Sequence, residues 1–86
     1  MAYKIEFTTG AKRQFDKLLP AVQSRLAETI DSLSEQPRPP QCTKLTGQEL
    51  YRVRCGDYRA IYRIEDERLL VLIVKVGHRR EVYREK

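Results

Sequence analysis

Apolar and basic residues alternate from Leu50 to Arg63 (LYRVRCGDYRAIYR) in two runs that meet at Gly56-Asp57. Alternation of this kind marks half-buried strands. Gly-Asp between two such runs predicts a hairpin turn, because glycine tolerates positive φ. With Gly56 and Asp57 as the loop, Cys55 pairs with Tyr58, Arg54 with Arg59 and Arg52 with Ile61. Side chains alternate faces along a strand. Tyr51, Val53, Cys55, Tyr58, Ala60 and Tyr62 therefore share a packing face. Leu50, Arg52, Arg54, Arg59, Ile61 and Arg63 share the other.

The flanking patterns supply the remaining elements. Tyr3, Ile5 and Phe7 alternate with Lys4 and Glu6, which predicts a first strand over Ala2–Phe7. Thr8 or Thr9 then caps a helix whose face is Ala11, Phe15, Leu18 and Leu19. Pro20 ends that helix and starts a second, running to Glu35, with Val22, Leu26, Ile30 and Leu33 as its stripe. Pro37 stops it. The proline-rich segment Pro37–Gln48 reads as a loop, and Glu65–Arg68 as a polar turn. Leu69–Val76 reads as a strand apolar on both faces in its first part, ended by Gly77.

The expected order is β-α-α-β-β-β, an α+β fold. A mainly antiparallel twisted sheet carries a two-helix hairpin on one face and leaves the arginine face open. At 86 residues the chain is expected to form one domain, 1–86.

Like charges facing each other across two strands destabilise a hairpin, so Arg54 opposite Arg59, with Arg52 and Arg63 near, needs an explanation: an anion on that face, or arginines that splay into solvent or pair with acids elsewhere. A phosphate backbone fits, since the guanidinium fork matches phosphate oxygens. The net charge of +5 and pI near 9.5 point to an acidic partner. The longest apolar run, Leu69 to Val74, is too short to cross a bilayer, and the N-terminus has no signal core. A cytoplasmic protein with no membrane association is expected. Cys42 and Cys55 lack metal or redox spacing and read as free thiols.

An enzyme that cleaves RNA internally must orient a 2′-hydroxyl, take its proton, stabilise phosphorane charge and protonate the leaving oxygen. Positioned cations serve the third task, and a group of suitable pKa serves the second and fourth. His78 is the single histidine, directly after Gly77 and beside Arg79 and Arg80. Tyr83 can stack on a base. Glu49 and Glu81 are the carboxylates near this set. No Ser-His-Asp set, phosphate-cradling glycine loop or metal-ligand cluster is present, so neither metal nor cofactor is expected.

The segments AYKIEFT, KLTGQELYRVRCGDYRAIYRI and VKVGHRREVY together resemble RelE-type toxins of the RelE/ParE superfamily, from type II toxin–antitoxin pairs. The resemblance covers nearly the whole chain. It implies the β-α-α-β-β-β fold and a metal-independent mRNA endonuclease. Such an enzyme cuts codons in the ribosomal A site by 2′-hydroxyl attack, leaving a 2′,3′-cyclic phosphate. It also implies a RelB-like antitoxin as partner.

By position, Arg52 and Arg54 match two RNA-binding basic residues, usually lysines. Arg59 matches an arginine acting on the phosphorane, Arg79 one acting on the leaving group, and Tyr83 a base-stacking tyrosine. The implied catalytic set is Arg54, Arg59, His78, Arg79 and Tyr83, with Lys44, Arg52, Arg63 and Arg80 binding RNA. Arginine stays protonated, so Arg54 is a poor general base, and His78 is expected to move the proton. The alternatives are a ParE-like inhibitor of DNA gyrase and a non-catalytic nucleic-acid-binding module.

Overall fold

The structure is a computed structural model and describes residues 2–45, 47 and 49–78. Its elements are β1 (Lys4–Phe7), α1 (Thr9–Asp16), α2 (Pro20–Ser32), β2 (Cys42–Lys44), β3 (Tyr51–Cys55), β4 (Tyr58–Glu65), a 3-10 turn (Asp66–Arg68) and β5 (Leu70–His78). The five strands form one sheet in the order β1-β5-β4-β3-β2. β1 runs parallel to β5, and the other pairings are antiparallel.

Thr8 caps α1, its side chain accepting from the Ala11 amide at 3.1 Å. Pro20 opens α2, where its missing N–H has no cost. Gln23 donates to the Phe15 carbonyl at 2.9 Å, adding to the Leu18 amide that the same oxygen accepts at 3.1 Å and tying the two helices together. Ala11, Leu26, Ile30 and Leu33 press onto Val53, Ala60, Tyr62, Val71, Ile73 and Val76, all nearly inaccessible. Leu19, expected in the helix face, is 69% exposed. It lies between the helices as the extended N-cap of α2, where helical spacing no longer applies.

The hairpin has the expected register, Cys55 to Tyr58, Arg54 to Arg59 and Arg52 to Ile61. Gly56 has φ 62°, as a two-residue turn with glycine first requires.

Several boundaries differ from expectation, β1 starting at Lys4 rather than Ala2 and β5 at Leu70 rather than Leu69. The proline-rich segment is not all loop, because Cys42–Lys44 forms an edge strand on β3. α2 stops at Ser32, where Ser32 and Ser34 turn their hydroxyls to the Thr29 and Tyr3 carbonyls. β5 continues through Gly77 to His78, since β4 still offers Arg59 and Tyr58 as partners.

A polar clamp closes the end of the sheet remote from the hairpin turn. Arg38 donates to both Asp66 oxygens (3.3 and 3.0 Å) and to the Tyr51 hydroxyl (3.2 Å). Tyr3 donates to Asp66 at 2.7 Å. The Arg38 guanidinium, then the Tyr3 hydroxyl, hold the Asp66 carboxyl below its ordinary 3.8. A carboxyl whose folded pKa is depressed adds stability that is complete above the unfolded pKa and is lost as pH falls through the folded one. The melting temperature of wild type is therefore expected to exceed that of Asp66→Asn at pH 7. That gap should close as pH falls from about 4 towards 2. A gap unchanged across that range in thermal melts means the clamp is not charge-dependent.

No described helix is long and apolar enough to cross a membrane.

Candidate nucleic-acid interface

The sheet face without helices carries the expected arginines in rows that cross the strands. One row is Arg54, Arg59 and Gly77, on β3, β4 and β5. The next is Arg52, Ile61 and Lys75. Arg63 lies further along, beside Leu72, and reaches Glu65 at 3.6 Å.

This face is less open than expected. Arg59 is 8% exposed and Ile61 7%. In-row neighbours sit about 5 Å apart, and the stems of long cationic side chains cover what lies between them while their heads reach water.

Arg59 has the most unusual environment. Among the described residues it is the one charged residue that is buried, and its Nε has no hydrogen-bond partner. Arg54 across from it is exposed, and Gly77 on the other side adds no side chain. A buried donor left without a partner is costly. An anion seated on Arg59 and Arg54 removes that cost.

The other expected site residues are distributed differently. Lys44 pairs with Tyr51, which puts it on the helix-facing side of the edge strand, away from Arg52. His78 pairs with Tyr58, and their rings meet edge-to-face at 5.4 Å and 82°. Both line a cleft of about 570 Å³ with Gln14, Lys17 and Leu18 of the helical hairpin. The imidazole thus lies on the opposite side of the sheet from Arg59, although the two residues are in adjacent rows. Glu49 is exposed in the segment before β3. Arg79, Arg80, Glu81 and Tyr83 lie outside the described residues.

The cause of His78's position is a bulge in β5. Ile61 pairs with Lys75 but Tyr62 pairs with Ile73, so Val74 is an extra residue. A bulge reverses which side chains face which way beyond it. Ile73 and Val76 both enter the core, while Lys75 and Gly77 turn to the arginine face. Gln14 supports the distortion, its side-chain oxygen accepting from the Val76 amide at 2.9 Å. Lys75 was missed for the same reason: read without a bulge, it belongs to the packing side.

No group of three potential metal ligands occurs among the described residues.

A family profile described as "ParE toxin of type II toxin-antitoxin system, parDE" matches residues 5–83. Toxin RelG of Mycobacterium tuberculosis is 38% identical over 98% of this chain and 99% of its own length. The chain is a RelE-type toxin of the RelE/ParE superfamily. The mRNA interferase toxin RelE of Escherichia coli K12 is 33% identical to this toxin over 99% of the chain and 94% of its own. The RelBE2 toxin–antitoxin complex of Mycobacterium tuberculosis superposes with a TM-score of 0.83. It is 33% identical and covers 91% of this chain and 92% of that one. The isolated Escherichia coli RelE toxin gives 0.81 at 27% identity, covering 96% and 98%. The toxin thus has a RelE fold and belongs to a type II toxin–antitoxin system.

Proposed function

We propose that the toxin is an mRNA endonuclease that acts on the codon in the ribosomal A site and so stops translation in the cytoplasm. The observation that carries this reading is Arg59, a buried guanidinium on a cationic face with an unpartnered Nε. The similarity to RelE of Escherichia coli, an mRNA interferase toxin, supports it.

In this reading the scissile phosphate sits on Arg59 and Arg54, with Arg52 on an adjoining phosphate. The 2′-hydroxyl attacks phosphorus, the bond to the 5′-oxygen breaks, and a 2′,3′-cyclic phosphate and a 5′-hydroxyl result. The arginines stay protonated and neutralise the extra phosphorane charge. Their rows offer cations rather than metal-ligating carboxylates, an arrangement suited to metal-independent chemistry. Arg79, Arg80 and Tyr83 complete the proposed set. Primer extension on mRNA from translating ribosomes is expected to show cuts at codon positions.

Two related structures are complexes of RelE-type toxins with their antitoxins, one from Mycobacterium tuberculosis and one from Escherichia coli. A RelB-like antitoxin that covers the cationic face is the proposed partner here.

The position of His78 alters its expected role. A general acid or base contributes about 10²–10⁴ in rate. With its ring on Tyr58, His78 is not placed to make that contribution. His78→Ala is expected to keep single-turnover cleavage within about tenfold of wild type. A larger loss, reversed at elevated pH, restores it as the proton carrier.

The ParE profile match supports a second reading, inhibition of DNA gyrase. Gyrase-linked DNA breaks without codon-position cuts select it.

A further inference from the structure

We infer that Lys75 is a further substrate-binding residue. Its ammonium holds a second phosphate, so the RNA strand runs across β3, β4 and β5 instead of along the hairpin. This inference rests on the proposed endonuclease reading.

The register puts Lys75 in one row with Ile61 and Arg52, on the face that carries Arg54 and Arg59. Arg52 and Lys75 flank Ile61 at two strand spacings, roughly 10 Å. Lys75 is also the diagonal neighbour of Arg59, within reach for long side chains. Among the described residues these two rows contain four cations and no carboxylate. The carboxylates of the same face among the described residues, Glu6 and Glu65, stand in the rows beyond, where they pair with Lys4 and Arg63.

Without the bulge at Val74, Lys75 would be aimed into the core. The distortion, and the Gln14 contact that supports it, bring one more positive charge to a face already crowded with them. Such crowding is unfavourable unless an extended anion covers it. Lys75 and Arg52 each have another interaction in the free protein, but an ammonium has three donors and a guanidinium five, so both can add a phosphate oxygen.

The test is single-turnover cleavage on mRNA-programmed ribosomes, measured against toxin concentration at several salt concentrations. Wild type, Lys75→Gln, Lys75→Arg and Arg59→Ala are compared, with thermal melts for each. Lys75→Gln is expected to raise the half-saturating concentration roughly threefold to tenfold, leave the maximal rate within about twofold, and flatten the salt dependence by about one phosphate contact. Lys75→Arg should restore both. If Lys75→Gln matches wild type, or loses maximal rate alone, the inference is overturned while the endonuclease reading stands. Absence of cleavage by wild type overturns that reading and this inference with it.

Discussion

Replacing Arg59 by alanine is expected to lower mRNA cleavage on programmed ribosomes by two to three orders of magnitude. That is the usual scale for removing one preorganised donor from a developing oxyanion, about 10²–10³. The loss should fall on the maximal rate, because the phosphorane has more negative charge than the bound phosphate. Arg54→Ala should weaken binding as well, since Arg54 is exposed and its charge acts on both states. Arg59→Lys should recover only part of the rate, as an ammonium lacks the bidentate fork. Cleavage by Arg59→Ala within tenfold of wild type would remove the central residue of the proposal.

The same position carries an opposite expectation for stability. A buried donor without a partner costs about 1–3 kcal/mol, and Arg59 is 8% exposed with Nε unpaired. Arg59→Met keeps the stem and removes the charge. It is expected to be inactive yet to melt higher, by about 4–8 °C for each kcal/mol in a domain of this size. A gain in stability coupled to a loss of activity is the trade-off expected of a functional site. A variant that melts lower than wild type shows that Arg59 is already satisfied in the free protein.

The largest expected effect on folding is at Tyr62, which is fully inaccessible. Its ring stacks on Tyr51 with centroids 5.8 Å apart and planes at 24°. Its hydroxyl donates to the Pro37 carbonyl at 2.7 Å. Burial first, then the neighbouring Cys42, push its phenol pKa upward, so it remains a donor at any physiological pH. Tyr62→Ala is expected to cost about 3–5 kcal/mol, a large part of the 5–15 kcal/mol typical of a folded protein. Circular dichroism should find it mostly unfolded at 37 °C. Tyr62→Phe keeps the ring and should cost about 1–2 kcal/mol. A Tyr62→Ala protein that melts within a few degrees of wild type would place the centre of the core elsewhere.

The hairpin was legible because a period of two runs along each arm, interrupted only at Ile61, and its loop is marked by glycine. The helical hairpin was legible from its caps and its stripe. Other features left no periodic trace. Cys42–Lys44 is too short to show alternation and stands among prolines, yet β3 offers it an unpaired edge. The bulge lies in an apolar run, LLVLIV, that fits either parity. The clue was just beyond it: Lys75 and Gly77 alternate with the core residue Val76, which is possible only if the parity has changed. That one residue turns Lys75 to the arginine face and His78 to the side of Tyr58.

The parallel pairing of β1 with β5 joins residues 4–7 to residues 70–73, and this governs when the molecule comes into being. A chain is made from its N-terminus, and contacts distant in sequence form only after the loop between them closes. β1 has no strand to join until β5 has emerged, and β4 keeps an unpaired edge until then. Arg59 gains its neighbour Gly77 at the same moment. A half-made chain therefore has the hairpin arginines but not the enclosed seat between them. The proposed anion site is therefore complete only after β5 has left the ribosome that synthesises this toxin.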